Sequence, residues 1–216
     1  TWFIPGMTCI KVFDEETGES RDSNRKDLAL NTRVADALPN IDAVTVSCKN
    51  VERSDIFGEV DEFATLAENT TKPLEYLCEY PESLDVVINM AAAIRGGHQQ
   101  LRDKPYFMQL VTPLPLYYAK IHTDQIINGI EAGIPMAVGT VVIGGASAPI
   151  TMAGCLVHSL ATDFAGMVLG QLVSKGCFCI GGSDASFMEA ATGGIGSFTQ
   201  NSLSDMALCQ IARELG

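Results

Sequence analysis

Five short apolar runs, at residues 43–47, 74–77, 106–111, 136–142 and 177–180, alternate with longer stretches of helical periodicity. Their starts are spaced roughly 30 to 40 residues apart, the length of one β-α unit. The runs are rich in β-branched or aromatic residues, as expected of strands buried on both faces. The stretches between them carry apolar residues at helical spacing over 27–38, 59–69, 82–95, 117–132, 150–175 and 201–215. Ser23 or Asp22 is expected to cap the first helix. Gly96-Gly97 and Gly133 supply stops. Alternating β and α elements require a parallel sheet. With five or six strands, periodicity fits either a doubly wound sheet or most of an eight-stranded barrel.

The stretch 150–175 is almost wholly apolar and is expected to be buried on most sides or to lie against a partner. No uninterrupted apolar run reaches the roughly 20 residues of a membrane span, so no membrane association is expected. Residues 2–13 and the polar turn 14–19 predict a hairpin. No linker or low-complexity tract interrupts the chain, so residues 1–216 are expected to form a single domain. The lack of an initiator Met and of a strand after the last helix suggests the central fragment of a longer protein. A strand edge left by truncation would either pair into a homo-oligomer or lower solubility.

Charge narrows the partners. Twenty-six acidic and 14 basic residues give a net charge of −12, which argues against nucleic acid and anionic membranes. The acidity permits a cationic substrate, although keeping a protein soluble is the more ordinary reason for it. Seven scattered Cys form no C-x-x-C pair and fit a reducing, cytoplasmic location. Cys177-x-Cys179 puts two thiols on one strand face, a pattern open to redox or metal chemistry but more often a pair of core thiols. His98 is expected in a surface loop, and His122 and His158 within helices. No spacing links them as metal ligands, so no metal site is expected.

In parallel α/β folds ligands bind beyond the C-terminal ends of the strands. The candidates there are Lys49, Glu79, Tyr80, Thr112, the Gly144-Gly145-Ala146-Ser147-Ala148-Pro149 turn, and Ser183, Asp184 and Phe187. In the turn, glycines permit close approach, Ser147 is expected to cap the next helix and Pro149 to enter its first turn. Such a helix start can hold a carboxylate or phosphate, but an ordinary βα turn reads the same way. Gly181-Gly182-Ser183-Asp184 and Gly193-Gly194-Ile195-Gly196 bound a glycine-rich loop suited to a lid or a substrate wall. Glu79 and Asp184 suit a cation, and Tyr80, Phe107 and Phe187 offer ring faces to one.

The segment Gly144-Gly145-Ala146-Ser147-Ala148-Pro149-Ile150-Thr151-Met152-Ala153-Gly154, continued by Gly166-Met167-Val168-Leu169-Gly170-Gln171-Leu172, resembles the trimethylamine methyltransferase family. Weaker matches lie at Ala37-Leu38-Pro39-Asn40-Ile41-Asp42 and Asn69-Thr70-Thr71-Lys72-Pro73. The resemblance implies a parallel (β/α)8 TIM-type barrel, present here as a partial barrel of five to six strands. It also implies methyl transfer from a methylamine or betaine-like quaternary amine to the cobalt(I) of a corrinoid carried by a partner protein, with no cofactor bound tightly by this chain. The implied substrate-binding residues are Glu79, Thr112, Gly144, Gly145, Ser147, Ser183, Asp184 and Phe187; no catalytic residue is assigned. The chain stops before the position at which some family members carry pyrrolysine. It departs from the family at Ser159-Leu160-Ala161-Thr162, in place of His-Asn-Ala-Glu, and at Gly196-Ser197-Phe198-Thr199-Gln200. Both departures remove a polar or acidic group and imply a divergent substrate. Two other readings remain: a phosphate-binding barrel lyase or aldolase using Lys49 as Schiff base, and a non-catalytic binding fragment.

Overall fold

A computed structural model describes residues 3–14, 16–195 and 198–215. The parts of the expected hairpin at Trp2 and Glu15, and the departure at Gly196-Ser197, lie outside the described residues. The chain divides into two compact units, residues 1–110 with 131–135, and residues 111–130 with 136–216.

The first unit opens with the expected hairpin, shorter than its apolar run. β1 (Lys11–Phe13) pairs antiparallel with β2 (Ser20–Asp22). Asp14 ties the turn by accepting the Glu16 and Thr17 amides at 3.1 and 3.0 Å. α1 (Arg25–Ala37) is capped by Asn24, not by Ser23 or Asp22. Asn24 accepts the Lys26 amide at 2.9 Å while Asp27 accepts the Asn24 amide at 3.0 Å, a reciprocal capping box. Ser23 is fully buried and spends its hydroxyl on the Lys49 carbonyl at 2.7 Å. α2 (Ile56–Asn69) starts earlier than its apolar periodicity because Asp55 caps it through the Gly58 amide.

β3 (Leu74–Leu77), α3 (Pro81–Arg95), α4 (His98–Asp103) and β4 (Phe107–Val111) complete the unit. β3 and β4 are parallel, with Leu74 opposite Phe107 and Leu77 opposite Leu110. Gly96, at φ 91°, ends α3 as expected, but His98 begins a short helix and is not a loop residue. The run 43–47 is not a strand. It is extended and hydrogen-bonded on both edges, to residues 8 and 9 on one side and to Pro73 and Glu75 on the other, with only an isolated bridge from Val44 to Leu74. The core gathers around Phe63, whose ring meets Tyr76 edge-on at 5.1 Å and Phe107 at 5.5 Å.

The second unit contains α5 (Lys120–Glu131), β5 (Met136–Val138), β6 (Val141–Gly144), α6 (Met152–Val173), β7 (Cys179–Gly181), β8 (Asp184–Phe187) and α7 (Phe198–Leu215). β5 pairs with β7 and β6 with β8, both in parallel. The run 136–142, expected as one strand, is therefore two strands, broken at Gly139-Thr140. Its neighbour breaks at the same level, at Gly182-Ser183. β8 itself lies within the stretch expected to be a glycine-rich loop.

α6 is not buried on most sides. Its buried face is small and polar, namely Cys155, Ser159, Thr162, Asp163, Gly166 and Gly170. Its large apolar residues Val157, Val168 and Leu172 are exposed in the chain as it stands. The reason is close approach: a Cβ at Gly166 would lie 2.9 Å from Val138, and one at Gly170 3.0 Å from Cys179 Sγ. By length and composition α6 is also apolar enough to cross a membrane, because polar interruptions within it leave its mean hydropathy high. Its contacts with β5, β6, β7 and β8 fix it here as a sheet-packing helix. The strand pairing is that of a mixed α/β protein with parallel strands, and no closed barrel is found among the described residues.

Candidate functional site

In the first unit the groups that follow the strand tips surround a cavity of about 250 Å³. Lys49 lines it, with Nζ 3.3 Å from Glu62 and 3.2 Å from Glu79. Burial works to lower the Lys49 pKa, but Glu62 and Glu79 outweigh it and hold the ammonium above its ordinary value. That is the opposite of what a Schiff-base lysine needs. Burial raises the Glu62 carboxyl in turn, against the opposing pull of Lys49 and the Asn50 amide. Glu59, only 4% exposed, organises the wall: it accepts the Glu79 amide at 2.6 Å, the Tyr80 amide at 3.3 Å and the Ser83 hydroxyl. Asn50 also lines the cavity, and its buried Oδ1 has no hydrogen-bond partner among the described residues. Of the sequence candidates, Glu79 and Tyr80 are exposed at this rim, whereas Phe107 is buried in the Phe63 cluster.

In the second unit the glycine turn after β6 differs from expectation. Ser147 does not cap α6. Its Oγ turns back and accepts the Ile143 amide at 2.9 Å, closing the turn on itself. The cap is Thr151, which accepts the Gly154 amide at 3.2 Å, so Pro149 lies before the helix and outside its first turn. Gly145 adopts φ 87°, a conformation that favours glycine. Gly144 is buried beneath Phe187, where a Cβ would fall 2.6 Å from the ring. Phe187 is 6% exposed and packs with Val142, Cys155 and Ala185. Thr112, Ser147 and Asp184 are exposed and Ser183 is half-buried.

The residue that sequence reasoning missed is Asp163. It lies on the small face of α6, 4% exposed, at the level where both strands break. Its Oδ1 accepts the Ser183 hydroxyl at 2.5 Å, and Ser183 Oγ accepts the Thr140 amide at 3.1 Å. Burial raises its pKa to about 6 even though Ser183 and the amides of Thr140 and Gly182 pull it down. Asp163 also lines a cavity of about 550 Å³ with Phe164, Met167, Gly181, Ser183 and Asp205. The only sequence signal for it was an acidic residue in an otherwise apolar helix. Beside it, Thr162, at the family departure, accepts the Leu116 amide at 2.9 Å and receives the Tyr118 hydroxyl on its carbonyl at 2.7 Å. Leu116, tied by the first of these bonds, adopts φ 57°.

Parallel strand pairs, helices packed on them and polar groups gathered beyond the strand tips define an α/β protein of the kind that binds small ligands at those tips. A family model for trimethylamine methyltransferase (MTTB) matches residues 1–216, and the chain belongs to that family. It is 32% identical over 181 residues to trimethylamine methyltransferase MttB of Desulfitobacterium hafniense (strain DSM 10664 / DCB-2), covering 83% of this chain and 36% of that protein. It is 30% identical over 194 residues to trimethylamine methyltransferase MttB of Methanosarcina barkeri, covering 86% and 39%. Similarity to glycine betaine methyltransferase of Desulfitobacterium hafniense (strain Y51) is 28% over 152 residues, covering 69% and 32%. The chain thus spans well under half the length of the curated relatives it matches.

Proposed function

We propose that the protein to which this chain belongs transfers a methyl group from a methylated amine, either trimethylamine or a betaine-like quaternary amine, to the cobalt(I) of a corrinoid carried by a partner protein. Family membership over the whole chain carries this reading, and relatives named for trimethylamine and for glycine betaine support the substrate class. Reduced cobalt is itself the nucleophile, so the protein's task is to bind the ammonium, orient its methyl group and exclude water. The acidic cavity around Glu59, Glu62 and Glu79, with the Tyr80 ring at its rim, suits a cationic headgroup. Substrate contact is proposed for Glu79 there, and separately for Thr112, Ser147, Ser183 and Asp184, whose polar atoms lie at or near the surface of the second unit. Gly144, Gly145 and Phe187 would shape the turn and the packing beneath those residues.

The test is methyl transfer to reduced cobalamin by the full-length protein, offered trimethylamine, glycine betaine and other quaternary amines in turn. Formation of methylcobalamin with at least one of them is expected, with the rate lowered by Glu79→Gln. No methyl transfer from any of them, together with borohydride trapping of a carbonyl substrate on Lys49, would replace this reading with the aldolase. The raised pKa of Lys49 argues against that outcome.

A further inference from the structure

Cys177 and Cys179 take no part in the chemistry above, yet their geometry is specific. α6 ends at Val173, and a tight turn follows in which the Cys177 amide donates to the Ser174 carbonyl at 3.0 Å. Gln171 clamps that turn from both ends of its amide. Its Oε1 accepts the Gly176 amide at 2.8 Å, and its Nε2 donates to the Cys177 carbonyl at 2.9 Å and to Cys177 Sγ at 3.4 Å. The chain then extends into β7, so residues two apart share a face. The two sulfurs are consequently 3.3 Å apart. Two extended residues span about 6.6 Å, within the Cα separations that disulfides bridge. Both thiols are half-buried, so small reagents reach them, whereas Cys48, Cys78 and Cys155 are buried.

We propose that Cys177 and Cys179 form a dithiol–disulfide site oxidised by a low-molecular-weight disulfide. In the first exchange the Cys177 thiolate attacks one sulfur of the reagent. The reagent's S–S bond breaks, and one thiolate leaves and is protonated. In the second, Cys179 gives its proton to solvent and attacks the Cys177 sulfur of the mixed disulfide. The intramolecular S–S bond forms, and the second reagent thiolate leaves and takes up a proton. Two protein thiols are oxidised, and one disulfide is reduced to two thiols. Cys177 opens the sequence because burial, then the hydrogen bond to Cys177, pushes the Cys179 thiol up to about 12. The closed bond would bracket Phe178, whose carbonyl accepts the Met136 amide at 3.0 Å, so oxidation acts directly on the β5–β7 pairing.

The experiment equilibrates the 216-residue chain in buffers of reduced and oxidised glutathione, blocks the remaining thiols and maps the peptides by mass. The expected product is a peptide containing Cys177 and Cys179 that is lighter by two hydrogens and carries no block, regenerated by reduction. Both cysteines blocked at every glutathione ratio, or glutathione left on either as a stable mixed disulfide, would overturn the proposal. A trivalent monoarsenical, which needs two neighbouring sulfurs, supplies a second reading. One equivalent should bind the native chain and be lost in both Cys177→Ser and Cys179→Ser. Undiminished binding in both variants would also overturn the proposal. Mapping the unmodified sequence needs no variant, so a misfolded substitution leaves the test intact.

Discussion

Asp163 illustrates how one side chain can matter more than its neighbours on the same helix. Its folded pKa of about 6 lies above the ordinary 3.8. Between those values the folded state binds more protons than the unfolded one, so this group's contribution to stability is fully present below about pH 4. It is lost as pH rises through about 6. The two pKa values allow up to about 3 kcal/mol, and solvent in the adjoining cavity reduces this to the order of 2 kcal/mol. Asp163→Asn keeps an acceptor for Ser183 and removes the charge. In thermal melts the variant should therefore gain on the native chain as pH rises from 4 to 7. A difference that does not change with pH would show that the carboxyl does not titrate there. At Gly144 the argument is steric. Gly144→Ala places a methyl group against the Phe187 ring and Cys155 Sγ. Overpacking of this kind costs about 1–3 kcal/mol, to be read by denaturant unfolding.

At the scale of the element, the start of α6 separates two roles that the sequence ran together. Thr151→Ala removes the cap and should cost about 1 kcal/mol, with faster hydrogen exchange at the Gly154 amide. Ser147→Ala should leave that amide protected and instead expose the Ile143 amide. The sequence placed the helices well because their stops are chemically distinctive, as at Gly96 after α3. It placed caps less well. Ser23, Asn24 and Asp22 are all good caps by type, and only tertiary burial of Ser23 decides among them. The break at Thr140 was not legible at all. A continuous apolar run reads as one strand, and what divides it is a hydroxyl 43 residues away. The outward turn of α6's large apolar side chains was equally hidden, because the usual pattern puts the large apolar residues inside, and here the small and polar ones are buried instead.

At the scale of the molecule, family membership was legible from the glycine turn and the helix after it, while the site was legible only in part. Strand-end position selected Glu79 and Ser183 but gave no reason to select Glu59 or Asp163, which lie on helices. The exposed face of α6 carries Val157 at 63%, Val168 at 58% and Leu172 at 79%, and exposed apolar surface of this kind favours association. The 216-residue chain should therefore self-associate as its concentration rises. The pair Val168→Lys and Leu172→Lys should return it toward monomer in sedimentation analysis. Unchanged association would place the contact elsewhere.

The paired break in the strands has an evolutionary corollary. One carboxylate answers to loops from two different strands, so neither loop is free to drift alone. A change at Thr140 that alters its amide geometry shifts the hydroxyl of Ser183, and a change at Ser183 withdraws the acceptor that Thr140 relies on. Substitutions at the two positions should be strongly epistatic, their joint effect departing from the sum of the separate ones. A lineage adapting this end of the unit to a new ligand would then have to pass through paired replacements, with Asp163 as the pivot on which each pair is accepted or rejected.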